Sequence, residues 1–212
     1  METKKGLFIT FEGIDGCGKS TQAKLLADYI FSLNKYNHVL RTREPYKNTE
    51  IRKILQSESD PYSQGVKLAE MFIRDRRIHV NELINPNLEE GIYVVSDRYS
   101  LSTLAYQQTQ GVPLNELLGM HSGLPIPDLT FIVNIPTNMA IERMKKDSIR
   151  KEEQKFEKDA KFIEKLRKNY IQLANLPKHK IVIVDGRDNI EAIFEKQVKP
   201  AFDKVYNSHL SK

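Results

Sequence analysis

Residues 13–20 combine three glycines with a Lys-Ser pair in an order that suits phosphate binding. Their spacing, G-x-x-x-x-G-K-S, is the Walker A pattern, and they stand between an apolar run at residues 7–11 and an amphipathic stretch. Glycines let the backbone wind so that successive N–H groups point at one anion, and the following helix adds the positive end of its dipole. The predicted ATP site comprises Gly13, Ile14, Asp15, Gly16, Cys17, Gly18, Lys19, Ser20 and Thr21.

Asp15 carries further information because a carboxylate that pointed into this loop would repel a triphosphate. We therefore expect its side chain to point out of the loop, toward a neutral hydroxyl on a second ligand. That orientation predicts an enzyme with two substrates, in which an acceptor lies beside the nucleotide. A solvated loop aspartate without such a role is the alternative.

Asp97 and Arg98 directly follow a second apolar run, residues 92–96, which is typical of a buried parallel strand. The Asp97 carboxylate is predicted to orient Mg²⁺ or its water together with the Ser20 hydroxyl, while Lys19 reaches the β- and γ-phosphates. The guanidinium of Arg98 offers a rigid fork for a phosphate. A surface Asp-Arg ion pair is the alternative.

Two helical stretches carry aromatic and polar side chains four residues apart, which places each pair on one helix face. The pairs are Phe72 with Arg76, Ser102 with Tyr106, and Thr103 with Gln107. A ring beside a guanidinium suits a heterocyclic base, because the ring can stack and the guanidinium can donate to a carbonyl on the base edge. The other two pairs could line a nucleoside pocket. A core Phe beside a solvated Arg, and a merely polar helix face, are the alternatives.

Strands are predicted at residues 7–11, 39–42, 92–96, 129–135 and 181–184, with helices between them. Helices are expected over about 19–33, 63–85 and 189–198, and Thr49 is a predicted N-cap. This alternation predicts an α/β three-layer P-loop NTPase fold: a five-stranded parallel sheet with helices on both faces. Ligands bind beyond the carboxyl ends of such strands, so the distant motifs should converge on one site.

The chain has 212 residues, of which 40% are hydrophobic and 29% charged, and we expect one domain over residues 1–212. Its net charge of +5 is compatible with phosphorylated substrates and does not demand nucleic acid. No apolar run approaches the roughly 20 residues that span a membrane. We expect no signal peptide, because the residues before the first strand are few and polar, and a single cysteine fits a reducing compartment, so a cytoplasmic location is expected.

Twelve of the 17 residues at positions 145–161 are charged. Most of this run is expected to be a solvated helix face. One or two of its cations could close over the triphosphate as a mobile, helical lid at about residues 145–158, where charge spreads over the transferred phosphoryl group.

Nearly the whole chain resembles the thymidylate kinase family of P-loop nucleoside monophosphate kinases. The motifs that carry the resemblance are residues 11–21, Arg43-Glu44-Pro45, residues 72–76, Asp97-Arg98-Tyr99, residues 102–107 and Pro127-Asp128-Leu129-Thr130. The resemblance implies transfer of the γ-phosphoryl group of Mg·ATP to dTMP, in the pathway to dTTP, by a homodimer. The expected partners are dTMP and ATP, without nucleic acid or a membrane.

Site residues follow from the same resemblance. It implies that Asp15 would hold the 3′-hydroxyl of dTMP, that Tyr106 would disfavour a 2′-hydroxyl, and that Arg187 lies in a loop passing the adenine. Phe72 would stack on thymine and Arg76 would bond its O4. The acceptor site is then Asp15, Glu44, Lys47, Phe72, Arg76, Arg98, Ser102, Thr103, Tyr106 and Gln107. The catalytic set is Lys19, Asp97, Arg98, Arg150 and Lys155, and the metal ligands are Ser20 and Asp97.

The sequence departs from the family pattern at the phosphate loop. Gly16 occupies a place where some members carry an arginine, which resembles the subclass whose lid supplies the cation. Lys155 and Arg150 are the two lid candidates, and Lys47 stands where some relatives have an arginine near the acceptor phosphate. A P-loop kinase for another monophosphate or a nucleoside, and a nucleic-acid-associated or regulatory NTPase switch, are the alternative functions.

Overall fold

Five parallel strands form the centre of the computed structural model, which describes residues 4–57, 60–146 and 159–211. The strands are β1 (Phe8–Glu12), β2 (Val39–Arg43), β3 (Tyr93–Asp97), β4 (Leu129–Asn134) and β5 (Ile181–Asp185), in the order β2-β3-β1-β4-β5. Each lies within one residue of its predicted position. The predicted α/β fold is therefore confirmed.

Helices connect and surround the strands. They are α1 (Lys19–Leu33), α2 (Thr49–Ser57), α3 (Gly65–His79), α4 (Asn85–Glu89), α5 (Ser100–Thr109), α6 (Leu114–Met120), α7 (Thr137–Lys146), α8 (Ala160–Leu173), α9 (Ile190–Ile193) and α10 (Lys199–Leu210). π-helical turns at Val80–Ile84 and Phe194–Val198 join α3 to α4 and α9 to α10. In the described part of the chain, no helix is long and apolar enough to cross a membrane.

Strand β1 lies at the middle of the sheet, between β3 and β4. Phe11 pairs in register with Asp97 on one side and with Phe131 on the other. Because all the strands run in the same direction, their carboxyl ends meet at one edge. The phosphate loop after β1 therefore lies beside the Asp97-Arg98 turn after β3.

Both faces of the sheet are covered by apolar packing. Successive strand residues point to opposite faces, and neighbours on β1 and β3 accordingly join different clusters. Phe8 and Val94 pack with Ile84 and Leu88. Ile9 and Val95 instead belong to the larger cluster that includes α1 and α8.

The structure corrects several helix boundaries. The helical course that begins at Gly65 continues to Glu89, because Pro86 lies in the first turn of α4, where its missing N–H is not needed. The last helical course runs on past Val198 to Leu210, with Pro200 again in a first turn. Helix α6 was not predicted.

The N-cap of α2 is Asn48 and not Thr49. The Asn48 side-chain oxygen accepts from the backbone N–H groups of Glu50 and Ile51, at 2.9 and 3.2 Å. The buried Asp75 carboxylate accepts from the N–H groups of Lys47 and Asn48, both at 2.9 Å. These bonds fix the loop that leads from β2 to α2.

We expect Asn48→Ala to lower the free energy of unfolding by about 1 kcal/mol, because α2 loses its capping acceptor. The exposed neighbour Thr49 supplies a matched control: Thr49→Ala should cost clearly less. Chemical denaturation measures both values. Equal costs for the two variants would contradict the assignment of the cap.

Candidate active site

A cavity of about 1070 Å³ lies at the carboxyl edge of the sheet and extends from the phosphate loop to α3 and α5. Most of the residues predicted from sequence line it: Asp15, Gly16, Cys17, Gly18, Lys19, Ser20, Thr21, Glu44, Phe72, Arg76, Asp97, Arg98, Ser102, Thr103, Tyr106 and Gln107. The structure thus brings the two predicted groups, phosphate loop and acceptor pocket, into one continuous space.

Glycines shape the phosphate loop. Gly13, Gly16 and Gly18 have φ angles of 134°, 77° and 100°, which side chains rarely adopt. A Cβ on Gly16 would also lie 2.6 Å from the carbonyl oxygen of Ala140 on α7. Backbone conformation and packing therefore both disfavour a side chain at this place in the loop.

Lys19 folds back over the loop. Its ammonium donates to the carbonyl oxygen of Ile14 at 2.8 Å and lies 3.9 Å from Asp15 Oδ1. The side chain is almost fully buried although it belongs to the first turn of α1. Its charge is thus held at the mouth of the loop.

Ser20 and Asp97 meet as the sequence predicts. The Ser20 hydroxyl donates to Asp97 Oδ2, and the exposed guanidinium of Arg43 lies 3.5 Å from the same oxygen. A hydroxyl and a carboxylate are the hard oxygen ligands that Mg²⁺ takes, with phosphates and waters completing its shell. These residues therefore fit the metal that the loop implies.

The Asp15 carboxylate faces the acceptor side of the cavity. Its Oδ1 lies 2.5 Å from Arg98 Nη2, and its Oδ2 accepts from the Tyr106 hydroxyl at 3.1 Å. Burial is the largest single effect on Arg98 and by itself would lower its pKa, but the Asp15 charge together with Tyr106, Tyr170 and Asp97 outweighs burial and raises that pKa well above its ordinary value. Arg98 thus stays charged.

Arg98 occupies a strained turn at the end of β3. Its φ of 74° lies in the left-handed region, which costs a non-glycine residue free energy. The backbone is held on both sides: its N–H donates to Phe11 O at 2.9 Å, and Ser96 Oγ donates to its carbonyl at 2.7 Å. The next N–H, that of Tyr99, donates to Glu12 Oε1 at 2.8 Å.

Glu12 is a fully buried carboxylate beneath this turn. Its second oxygen, Oε2, accepts from the Ser102 hydroxyl at 2.6 Å. Burial raises the pKa of Glu12 from 4.5 to about 7, although the Ser102 hydrogen bond and the Arg98 charge act in the opposite direction. Sequence reasoning placed Glu12 in a family motif but gave it no role.

Arg76 is buried at the other end of the acceptor pocket. Its Nε and Nη2 donate to Glu44 Oε2 at 2.8 and 2.6 Å, and Nη2 also lies 3.0 Å from Thr103 Oγ1. Nη1 donates to His121 Nε2 at 2.8 Å. An arginine Nη carries two hydrogens, and no side chain or carbonyl in the described part of the chain accepts the second Nη1 hydrogen, which leaves it for a ligand.

His121 is the acceptor for Arg76 because of its tautomer. Its Nδ1 lies 2.6 Å from the Leu117 carbonyl, so Nδ1 carries the proton and Nε2 keeps its lone pair. Burial and the neighbouring Arg76 charge lower the pKa of His121 to about 3. The ring is therefore neutral.

Gln107 brings a buried acceptor to the cavity. Its Nε2 donates to Gln110 Oε1 at 3.0 Å. Its Oε1 is buried and has no hydrogen-bond partner among the described residues. Such a group is costly unless something supplies a donor.

Some predicted residues lie elsewhere. Lys47 points away from the cavity, because its ammonium donates to Glu82 and lies over the Tyr46 ring. Arg187 pairs with Asp185 and lines a separate cavity of about 630 Å³. Gly13 and Ile14 do not line the cavity, and their carbonyl oxygens accept from Arg98 and Lys19 respectively. Arg150 and Lys155 lie outside the described residues.

The sequence places Arg43 at the carboxyl edge of the sheet, among the motifs that should converge on one site, and Arg43 does line the cavity. Two other cavity residues, Arg52 and Arg143, were missed from sequence, and Arg143 Nη2 donates to Gly186 O at 3.0 Å. The signal available for Arg52 and Arg143 is a cation on an amphipathic helix, which is too common to be informative.

The Walker A loop at the edge of an all-parallel sheet defines an α/β P-loop nucleotide-binding protein. A family model for thymidylate kinase matches residues 11–196. The thymidylate kinase of Sulfurihydrogenibium sp. (strain YO3AOP1) is 36% identical over 196 residues, covering 89% of this chain and 93% of that protein. The chain belongs to the thymidylate kinase family, as the sequence motifs predict.

Two further proteins are similar. The probable thymidylate kinase of Pyrococcus horikoshii is 40% identical over 187 residues, covering 84% of this chain and 88% of that protein. The crystal structure of thymidylate kinase from Ehrlichia chaffeensis superposes with a TM-score of 0.70 at 27% identity, covering 92% of this chain and 98% of that chain. The likeness thus extends over almost the full length of each protein.

The raised pKa of Glu12 predicts a pH-dependent loss of stability. The folded protein keeps this proton up to about pH 7 and the unfolded chain only to about 4.5, so the free energy of unfolding falls as the pH rises between these values. Glu12→Gln removes the titration. Its free energy of unfolding, minus that of the wild type, should become more positive by roughly 2–3 kcal/mol from pH 5 to pH 8.

Denaturant titrations of both proteins at the two pH values measure this difference. All other titrating groups are common to the two chains, so their contributions cancel. A difference that is the same at both pH values would show that Glu12 is not the titrating group.

Proposed function

We propose that this chain transfers the γ-phosphoryl group of ATP to dTMP, giving ADP and dTDP. This is the reaction that the name of its family describes. The observation that carries the proposal is one cavity that joins the phosphate loop to a pocket lined by the donor Arg76 and by Gln107, whose Oε1 has no partner among the described residues. Its volume of about 1070 Å³ is at the upper end of the range for ligand sites, which suits two nucleotides.

ATP is the proposed donor at the glycine loop. The backbone N–H groups of the loop and the dipole of α1 would hold its phosphates, and Lys19 would contact the β- and γ-phosphates. Ser20 and Asp97 would hold Mg²⁺, which supplies positive charge to the phosphate oxygens when bound. Arg143, at the cavity wall beside Gly186, would lie at the nucleoside end of ATP.

The pocket around α5 would bind a base edge on which a carbonyl oxygen stands next to an N–H group. Arg76 can only donate, and so requires a carbonyl oxygen. Gln107 presents a buried oxygen, and so requires an N–H. Thymine offers O4 and N3–H in adjacent positions, whereas cytosine offers an amino group and a bare nitrogen. Phe72, half-buried at the cavity wall, is placed to stack on the ring.

The acceptor phosphate would bind Arg98, and the sugar would lie against Asp15 and Tyr106. These three side chains already form one hydrogen-bonded group. The carboxylate oxygens of Asp15 can accept from a 3′-hydroxyl. The Tyr106 ring, packed between Arg98 and Tyr170, would leave little space for a 2′-hydroxyl.

Catalysis in this arrangement consists of positioning and charge neutralisation. The acceptor is itself a phosphate, so no strong general base is required. Lys19 and Arg98 would stabilise the charge on the transferred group, with little covalent chemistry by the protein. Because residue 16 is a glycine, the loop supplies no cation at this place, and any further cation must come from another segment.

We also propose that the chain works as a homodimer in the cytoplasm. Val66 and Ile78 on α3 and Leu118 on α6 are exposed, and the two helices pack against each other. They offer apolar surface of the kind that dimers bury.

ADP release from Mg·ATP, measured with dTMP, dUMP, UMP, CMP, AMP and GMP in turn, tests the proposed function. We expect dTMP to be the preferred acceptor and dUMP to follow, since both have the carbonyl and N–H pattern. CMP and AMP should be poor acceptors because they would leave Gln107 Oε1 without a donor. ATP hydrolysis that is indifferent to every acceptor would reject the kinase and favour an NTPase switch.

Gln107→Ala should raise the KM for dTMP about 10- to 100-fold and leave the KM for ATP nearly unchanged, because the base loses a buried hydrogen-bond acceptor. Gln110→Ala is the matched control: it removes the partner of Gln107 Nε2 but no ligand contact, so its effect on the dTMP constant should be small. Steady-state kinetics with each substrate varied gives both constants. Equal effects on ATP and dTMP would remove Gln107 from the base pocket.

A further inference from the structure

Glu12 accepts hydrogen bonds at both oxygens of its carboxylate. The two short ones come from Tyr99 and Ser102, and the Tyr170 hydroxyl lies farther away, 3.5 Å from Oε2. The Tyr99 N–H donates to Oε1 at 2.8 Å, and the Ser102 hydroxyl donates to Oε2 at 2.6 Å. A carboxylate can accept at both oxygens, whereas an amide can accept at only one. The two bonds connect the end of β1 to the Arg98 turn and to α5, and Glu12 itself does not line the cavity.

The first bond restrains the backbone at Arg98. This residue keeps a left-handed φ of 74°, which persists only where surrounding contacts determine it. The Tyr99 N–H is the group that immediately follows the strained residue. By accepting from it, Glu12 fixes the direction in which the Arg98 side chain leaves the turn.

The second bond orients the hydroxyl that contacts the guanidinium. Ser102 has a single O–H, and it is given to Glu12, so the lone pairs of Oγ remain for Arg98 Nη1 at 3.0 Å. Tyr170 on α8 joins the same group, with its hydroxyl 3.2 Å from Nη1 and 3.0 Å from Ser102 Oγ. Because the Glu12 carboxylate only accepts, the Ser102 O–H points toward Glu12 and not toward the Arg98 guanidinium, which is itself a donor.

We propose that Glu12 is a positioning residue for the acceptor phosphate, acting through the Tyr99 N–H and the Ser102 hydroxyl to hold the Arg98 guanidinium in place. The proposal rests on the proposed function, since it takes Arg98 as the phosphate ligand. It assigns Glu12 no contact with substrate. Its effect should be confined to the phosphate end of the acceptor.

Glu12→Gln tests this at pH 8.5, where the wild-type carboxylate is ionised. In one orientation of the amide, its NH₂ group faces the Tyr99 N–H, so that two donors meet. In the other orientation, the NH₂ group donates to Ser102 Oγ, and the Ser102 proton must then point toward Arg98. Calorimetric titration should show a dissociation constant for dTMP raised about tenfold. Thymidine, which has no phosphate, should bind within about twofold of its wild-type affinity because Arg98 does not contact it. A structural defect of the pocket would weaken both ligands.

A double-mutant cycle with Ser102→Ala tests the route. If Glu12 acts through the Ser102 hydroxyl, the double variant should bind dTMP about as weakly as whichever single variant has the lower affinity for dTMP. Losses that multiply to about a hundredfold, an unchanged dTMP constant, or an equal loss for thymidine would each overturn the proposal. Glu12→Asp, which keeps two acceptor oxygens but cannot reach both donors, provides the same comparison if Glu12→Gln does not fold.

These titrations separate the proposal from the proposed function. Binding is measured without turnover, so an absence of phosphoryl transfer to dTMP in the wild type would reject the kinase reaction while the binding comparison still decides the role of Glu12. Normal dTMP binding and turnover in Glu12→Gln would reject the role of Glu12 and leave the kinase reaction standing.

Discussion

The register between β1 and β3 is the constraint on which the site depends. It pairs Phe11 with Asp97, so the residues after each strand emerge next to one another. Ser20 can then reach Asp97, and Glu12 can reach the turn at Arg98. A slip of one residue would turn every side chain of the strand to the other face of the sheet. The chemistry at the edge is therefore fixed by the hydrophobic pattern of two buried strands.

Two guanidinium groups in the site are each paired with a carboxylate. Arg98 pairs with Asp15, and Arg76 pairs with Glu44. Buried pairs of this kind add little net stability, because desolvation offsets their attraction. Their value here is geometric: they hold two guanidinium groups at opposite ends of one pocket before a ligand arrives, which lowers the ordering that binding requires.

The sheet, the phosphate loop and most of the acceptor pocket could be predicted from sequence because their signals are local: apolar strands, glycine spacing and side chains four residues apart. The contacts of Glu12, His121 and Gln107 could not be, because they depend on which distant donors and acceptors burial brings together. The same reason explains why Lys47 was wrongly assigned to the acceptor site: no local sequence pattern indicates that it pairs with Glu82. The sequence predicts Thr49 as the N-cap in place of Asn48, because both residue types cap helices well. Only the hydrogen bonds of the folded chain distinguish the two.

The central place of β1 in the sheet has a thermodynamic consequence. The cavity wall is assembled from segments that follow all five strands, and β1 joins partners about 85 and 120 residues away along the chain. No partly folded form that lacks one of these strands can present the complete cavity. A nucleotide should therefore bind only the fully assembled sheet and, by mass action, suppress opening of all its strands together. Ligand occupancy would then protect the amides of distant strands from hydrogen exchange to a similar degree.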